Sequence, residues 1–344
     1  MVDSFYISKY GKSVALQRGQ LPPKVLGTRD VRIDVYAASV NPLDLKIRDG
    51  ALKVLLPYQF PLVLGNDCSG VITEVGAKVT RFKVGDAVYT RLREDRIGAF
   101  AQEAVTDESA VAHKPVSLTY VQAASLPLVL LTAKQFLSDA AQLVKGQSVL
   151  VHAGAGAVGC ITIQLAKYMG LKVVTTASTD NIEYVKDIGA DVVIDRKTQR
   201  FEDSVRGMNA VLDSVGMGNL LKSFQCVVPG ATVVSIADGP DVALARELKI
   251  NRMLWPVFYF MGAKAHAAAG KAGASYRFLF MRANGEQLEG MNPLLDNGTL
   301  RTYIDSVFPF DQTTQALARA ESGQARGKVV IQIKNSPTLT ESPL

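Results

Sequence analysis

The chain reads as an α/β protein, with a doubly wound, six-stranded parallel sheet accompanied by a second, β-rich domain. Three observations lead there. The β-branched run Ser148-Val149-Leu150-Val151 opens through a glycine loop onto a helical pattern. From there to residue 280, short β-rich runs alternate with helical ones. Before residue 127, apolar and polar positions alternate between Gly, Pro and Asp turns. Strands separated by helices of this length require right-handed crossovers and therefore a parallel sheet.

Taken in order, residues 31–36, 69–75, 87–90 and 101–105 read as strands, broken by turns such as Asn41-Pro42 and Val84-Gly85-Asp86. The six parallel strands are expected at 148–151, 172–176, 191–194, 210–213, 231–236 and 276–280. Two further strands, 303–308 and 328–333 around a helix at 311–322, have no place in that sheet and are expected to return to the first domain. The division is therefore 1–127 with 284–344, and 128–283. Residues 250–274 form an apolar, basic insertion running through Trp255, Phe258, Tyr259, Phe260, Lys264, His266 and Lys271. Its plainest reading is a packing or dimer-contact helix, and the functional alternatives are an active-site cover or a membrane-surface helix.

The loop His152-Ala153-Gly154-Ala155-Gly156-Ala157-Val158-Gly159 has the spacing G-x-G-x-x-G between strand and helix, where a dinucleotide is bound. Gly154 is expected to permit the tight turn, Gly156 to let a pyrophosphate approach, and Gly159 to pack helix on strand. Ala155, Ala157 and Val158 would add backbone N–H groups at the helix start. After it, Val158, Ile161, Leu165 and Tyr168 recur at helical spacing.

Composition narrows the function classes. In 344 residues, 48% hydrophobic and 20% charged with a net charge of +6, the cations are scattered without a basic stripe interleaved with aromatics. That pattern points away from nucleic acid. No apolar run approaches the roughly 20 residues of a membrane span, and Cys68, Cys160 and Cys226 stand without a pairing pattern. The expectation is a reduced, cytoplasmic protein.

Several motifs then converge. Ala38-Ser39-Val40-Asn41-Pro42-Leu43-Asp44, Leu64-Gly65-Asn66-Asp67-Cys68-Ser69-Gly70, Phe82-Lys83-Val84-Gly85-Asp86, Ser125-Leu126-Pro127, Leu131-Thr132-Ala133, the glycine loop and Gly327-Lys328-Val329-Val330 occur in this order. Together they resemble the medium-chain dehydrogenase/reductase superfamily, and more closely its zinc-independent quinone and alkenal/enone reductase branch. The resemblance implies a GroES-like catalytic domain built from both chain ends, a Rossmann domain between them, and a homodimer. Zinc-dependent relatives carry Cys where this chain has Asn41, and Gly-His-Glu where it has Gly65-Asn66-Asp67. Catalytic zinc needs about three such ligands, and none of His113, His152 and His266 has a Cys or His partner at ligand spacing. No metal is expected.

An NAD site usually ends its second strand in Asp or Glu. Here Thr176 stands there, followed by Ala177-Ser178-Thr179, while Asp180 reads as a helix N-cap. Ser178, Asn181 and Arg196 would donate to a 2′-phosphate, so NADP(H) is the expected cofactor. The expected reaction is hydride transfer from NADPH to a quinone or to the β-carbon of an enone or alkenal. The resemblance places Asn41 and Thr132 beside the nicotinamide and its ribose. Lys46, Tyr58 and Tyr89 are candidate proton or hydrogen-bond donors, and Lys46 leads because it follows Asn41 closely. Ser214, Val215, Ser235, Ile236 and Ala237 end strands on the ligand side of the sheet, and Lys328 is expected at the cofactor or active site or at a strand edge. The alternative is an NADPH-binding redox sensor or structural protein without significant turnover.

Overall fold

A computed structural model of the chain describes residues 1–12 and 14–335, with the backbone alone at Met217. It comprises two compact units, Met1–Leu131 with Arg282–Leu344, and Thr132–Met281. The sequence-based limits of 128 and 283 for the middle unit thus stand at 132 and 281. Residues 336–344, included in the first domain by sequence, lie outside the described residues.

The N-terminal part supplies β1 (Val2–Ile7), β2 (Gln17–Leu21), β3 (Asp30–Val40), β4 (Leu62–Val63), β5 (Asp67–Val75), β6 (Ala87–Arg91), β7 (Glu103–Asp107) and β8 (Val111–His113). β2, β1 and β4 make a small antiparallel sheet. β3 is the spine of the larger one: Val31, Ile33 and Val35 point inward at every second position and are wholly buried, as a period of two requires. After β3, Pro42 at the first helical position starts the helix Pro42–Arg48, and the Asp44 carboxylate accepts the Asn41 backbone N–H at 2.7 Å.

The middle unit follows with β9 (Ser148–Val151), β10 (Lys172–Ala177), β11 (Val192–Asp195), β12 (Met208–Asp213), β13 (Val227–Ser235) and β14 (Ser275–Phe278). All pair in parallel in the order β11-β10-β9-β12-β13-β14. The order reverses beside β9, and its C-terminal edge is where such sheets bind ligands. The helix Ala157–Tyr168 buries Ile161 and Leu165, while Tyr168, counted in its apolar stripe by sequence, is exposed. The insertion becomes the helix Trp255–Ala272, burying Phe258, Gly262, Ala265 and Ala269 at helical spacing.

The chain then completes the first unit. β15 (Ile304–Pro309) pairs with β16 (Lys328–Gln332), which pairs antiparallel with β3, giving the order β15-β16-β3-β5-β6-β8, with β7 on β3. This places the tail in the first domain's sheet. Between the two strands, Thr313–Glu321 is helical and buries Ala316 and Leu317 on a core that includes Phe5, Ile33, Phe100 and Ile331.

Candidate functional site

The glycine loop is built by close packing. A Cβ added at Gly154 would lie 2.1 Å from Thr175 Oγ1, and one at Gly159 would lie 2.4 Å from the Ala153 carbonyl and 2.7 Å from Gly154 Cα. Gly156 meets only the Ala153 carbonyl, at 3.2 Å. The left-handed residue of the turn is Ala153, at φ 54°, and not Gly154; an L-residue there carries about 1–2 kcal/mol of strain. Gly156 is the N-cap of Ala157–Tyr168, and no side chain caps that end. The first-turn N–H groups of Ala157, Val158 and Gly159 therefore have no acceptor four residues back. Beside the small Gly156 and Ala155, this helix start fits a pyrophosphate by shape and by dipole.

At the end of β10, Thr176 turns inward. Its hydroxyl accepts from the Ala153 N–H at 3.1 Å and sits 3.3 Å from His152 Nδ1, so it braces the loop from within. His152 is buried, and the loss of hydration pushes its imidazole down to about 4. The residues expected around a 2′-phosphate come together: Asn181 Nδ2 donates to Ser178 Oγ at 3.0 Å, and the Arg196 N–H donates to the Ala177 carbonyl at 2.9 Å, which sets Arg196 beside the end of β10. Arg196 is exposed, and Asn181 Oδ1 is buried without a hydrogen-bond partner. Asp180, expected as an N-cap, lies in the 3₁₀ turn Thr179–Asn181, where its carboxylate accepts from Lys197 at 2.9 Å; Asn181 holds the N-cap position.

At β12 and β13 the strand ends are tied to each other. Asp213 accepts from the N–H groups of Val215 and Gly216, both at 3.1 Å, and from Ser235 Oγ at 2.9 Å. Ser235 Oγ in turn accepts from the N–H groups of Ala237 and Asp238, while Ile236 N–H reaches the Asp213 carbonyl at 2.9 Å and Ser214 Oγ donates to the His152 carbonyl. The N–H groups of Val215, Gly216, Ile236, Ala237 and Asp238 thus hold the two strand-end loops in shape. Burial pushes the Asp213 carboxyl up. Thr132 is buried in the helix Pro127–Lys134.

The first unit holds a different chemistry, a buried polar cluster at the start of β5 and β16. Lys328 Nζ donates to Asn41 Oδ1 at 2.5 Å and lies 3.3 Å from Asp67 Oδ2. That same carboxylate oxygen accepts from Asn41 Nδ2 at 3.0 Å and Ser39 Oγ at 3.3 Å, and Asp67 Oδ1 accepts from the Leu128 N–H at 3.1 Å. Next to it Asp44 accepts from Asn66 Nδ2 at 2.6 Å, leaving Asn66 Oδ1 buried without a hydrogen-bond partner. Loss of hydration pushes Asp44 up to about 6 and lowers Lys328. Lys328 is thus a buried charge in this cluster rather than a strand-edge lysine. Asn41 has both ends of its amide engaged. Asp67, Asn66, Asp44, Ser39 and Leu128 are the members that sequence reasoning did not place in a site; the signal was the pair of polar residues after Gly65.

The remaining candidates divide. Lys46 is exposed on the helix Pro42–Arg48. Tyr58 and Tyr89 are braces: their hydroxyls donate to the carbonyls of Glu94 at 2.7 Å and Leu288 at 3.0 Å, and burial pushes both phenols up, away from proton donation. Among the described residues, no group of three or more His, Cys, Asp or Glu is placed to hold a metal ion.

Residues 27–116 match the alcohol dehydrogenase GroES-like domain and residues 188–331 the zinc-binding dehydrogenase domain. The chain is 33% identical to the human mitochondrial NAD(P)H oxidoreductase RTN4IP1, over 97% of its own length and 89% of the relative's. It is 35% identical to the 2-methylene-furan-3-one reductase of Solanum lycopersicum, over 88% of the chain and 71% of that protein. Among solved structures, the quinone oxidoreductase from Coxiella burnetii superposes with a TM-score of 0.83 at 29% identity, covering 97% of this chain and 99% of that one. With its glycine loop between β9 and the following helix, its GroES-like sheet closed by the C-terminal strands and these relatives, the chain belongs to the medium-chain dehydrogenase/reductase superfamily of oxidoreductases.

Proposed function

We propose that the chain is an NADPH-dependent reductase that works without zinc, delivering hydride to a quinone or to the β-carbon of an α,β-unsaturated ketone or aldehyde. The observation that carries this is the buried cluster of Lys328, Asn41 and Asp67. Of the positions where zinc-dependent relatives carry Cys and Gly-His-Glu, Asn41 and Asp67 here already meet an ammonium and Asn66 is an amide that donates to Asp44. A dication at this place would meet a buried cation and too few thiolate or imidazole ligands. Without a Lewis acid to stabilise an alkoxide, alcohol oxidation loses its usual driving feature, whereas an electrophilic alkene or quinone accepts hydride directly.

NADPH, when bound, supplies the hydride. Gly156 and the N–H groups of Ala157, Val158 and Gly159 would hold its pyrophosphate, with Thr176 and His152 keeping the loop in shape. Ser178 and Arg196 would receive the 2′-phosphate, a reading supported by the absence of a carboxylate at the end of β10 and by the pairing of Asp180 with Lys197. Lys328 and Asp67 keep the Asn41 amide in one orientation. The proton that completes the reduction comes to the enolate or hydroquinone oxygen from solvent or from Lys46. We include in the proposal a homodimer with small electrophilic acceptors as its substrates, without nucleic-acid partners and without an integral membrane segment. No helix among the described residues is long and apolar enough to cross a membrane. A cytoplasmic, reducing setting is supported by three buried free cysteines, Cys68, Cys160 and Cys226.

The test is oxidation of NADPH, and separately NADH, by the purified protein with an enone, an alkenal, a quinone and, in reverse, a simple alcohol. Turnover of NADPH with an electrophilic acceptor and none with the alcohol supports the proposal. Tight NADPH binding with no turnover across the panel overturns it in favour of a sensor or structural role.

A further inference from the structure

The helix Trp255–Ala272 turns an unusual surface outward. Met253, Tyr259 and Phe260 are 85%, 63% and 74% exposed, with Val257 and Met261 beside them. Other exposed large apolar side chains among the described residues, such as Val25, Val84 and Val116, are scattered along the sequence. A single exposed apolar residue is ordinary, whereas a contiguous group marks a contact surface.

The charge around this group is mostly positive, with Glu247 exposed beside Arg246 and Asp241 buried against His266. Residues 248–281 contain Lys249, Arg252, Lys264, Lys271 and Arg277 and no Asp or Glu. At helical spacing, Phe260, Lys264 and Lys271 share the face opposite the buried Phe258, Gly262, Ala265 and Ala269. At the aromatic end an open cavity of about 670 Å³ is lined by Arg246, Lys249, Ile250, Arg252 and Trp255. Two guanidinium groups approach the Trp255 ring, Arg246 at 5.0 Å and Arg252 at 5.4 Å from its centre, and the indole N–H donates to the Ile250 carbonyl at 3.2 Å.

We propose that this helix docks the protein on an anionic lipid surface. Met253, Val257 and Phe260 enter the headgroup boundary, and the cavity of Arg246, Lys249 and Arg252 receives a lipid phosphate. An amphipathic helix with aromatic and apolar side chains among Lys and Arg has the composition that lies in such an interface. Charge decides against a second copy of the chain. A two-fold interface sets the same patch against itself, and here it would oppose cation to cation. The inference is independent of the acceptor proposed above.

The full-length chain is sedimented with vesicles of phosphatidylcholine alone and of phosphatidylcholine mixed with phosphatidylglycerol, at low and high salt, while its mass in solution is measured. The expected result is binding to the phosphatidylglycerol vesicles only, weakened by salt, with a blue shift of Trp255 fluorescence. Each surface cation contributes roughly fivefold, so Lys249→Asn with Lys264→Gln weakens binding about twenty-five-fold. Asn tolerates the left-handed backbone of position 249, at φ 53°. Phe260→Ser weakens binding further. The proposal is overturned if the unaltered chain ignores phosphatidylglycerol vesicles, or if binding is indifferent to these substitutions. A Phe260→Ser protein of half the mass in solution also overturns it and assigns the face to a second copy.

Discussion

Replacing Lys328 by Met removes an ammonium from a place where water cannot substitute for it. The side chain is almost wholly buried, and its Nζ bonds Asn41 Oδ1 and faces Asp67 Oδ2. In Lys328→Met the Asp67 carboxylate keeps three neutral donors, Ser39 Oγ, Asn41 Nδ2 and the Leu128 N–H, and loses its only cation in the cluster. Breaking a buried pair on one side costs about 3–5 kcal/mol. The three remaining donors place this case near the lower end, about 3 kcal/mol, or more than a hundredfold in the unfolding constant. Asp67→Asn alone strands the ammonium and is expected to cost about 2–3 kcal/mol. The double variant Lys328→Met with Asp67→Asn has neither charge, so its cost falls well short of the sum, with a coupling of about 2–3 kcal/mol. Urea unfolding followed by circular dichroism is the assay, because the single tryptophan, Trp255, reports the other unit. Additive costs, or a loss below about 1 kcal/mol in Lys328→Met, would refute the buried ion-pair reasoning.

Three further outcomes follow from the same geometry. Arg196→Ala is expected to raise KM for NADPH about tenfold and leave NADH unchanged, since a charge-assisted bond to phosphate is worth about 1.5–3 kcal/mol and an exposed one lies at the low end; equal effects on both cofactors would remove Arg196 from the phosphate site. Gly159→Ala drives a methyl to within 2.4 Å of the Ala153 carbonyl, so NADPH affinity, read by titration, should fall about tenfold or more with about 1–3 kcal/mol of lost stability. Two buried groups pull acid stability in opposite directions. Asp44, up at about 6 against an ordinary 3.8, takes its proton first in the folded state and adds about 3 kcal/mol as pH falls from 6 to 3.8. His152, down at about 4 against 6.5, is protonated first in the unfolded state and removes about 3 kcal/mol between pH 6.5 and 4. Asp44→Asn should therefore lose stability more steeply than the parent below pH 6, and parallel curves from urea titrations would contradict this.

The parallel sheet was legible because each of its strands is a short β-rich run between helical patterns, and the tail because residues 304–309 and 328–332 exceed six strands. β13 starts at Val227, ahead of the expected 231, through Pro229 and Gly230, residues that usually punctuate a strand. β1, β2, β4 and β8 are short or partly exposed and carry little periodicity. In the site, the glycine spacing identified the loop, yet the strained residue proved to be Ala153, because φ depends on the packing of Gly154 against Thr175 and Gly159. The cluster of Lys328, Asn41 and Asp67 joins residues 287 positions apart. Only strand pairing of β16 with β3 and β3 with β5 brings them together, and no local pattern encodes it. Asp180 misled because an acidic residue before a helix resembles a cap, whereas its carboxylate is taken by Lys197.

The most direct test of the account is the rate of enone-dependent NADPH oxidation per chain, measured together with zinc per chain before and after dialysis against a chelator. The expected result is turnover that persists with far less than one zinc per chain and is unchanged by the chelator. Turnover that rises and falls with zinc content, or that appears only with an alcohol and oxidised cofactor, would contradict it.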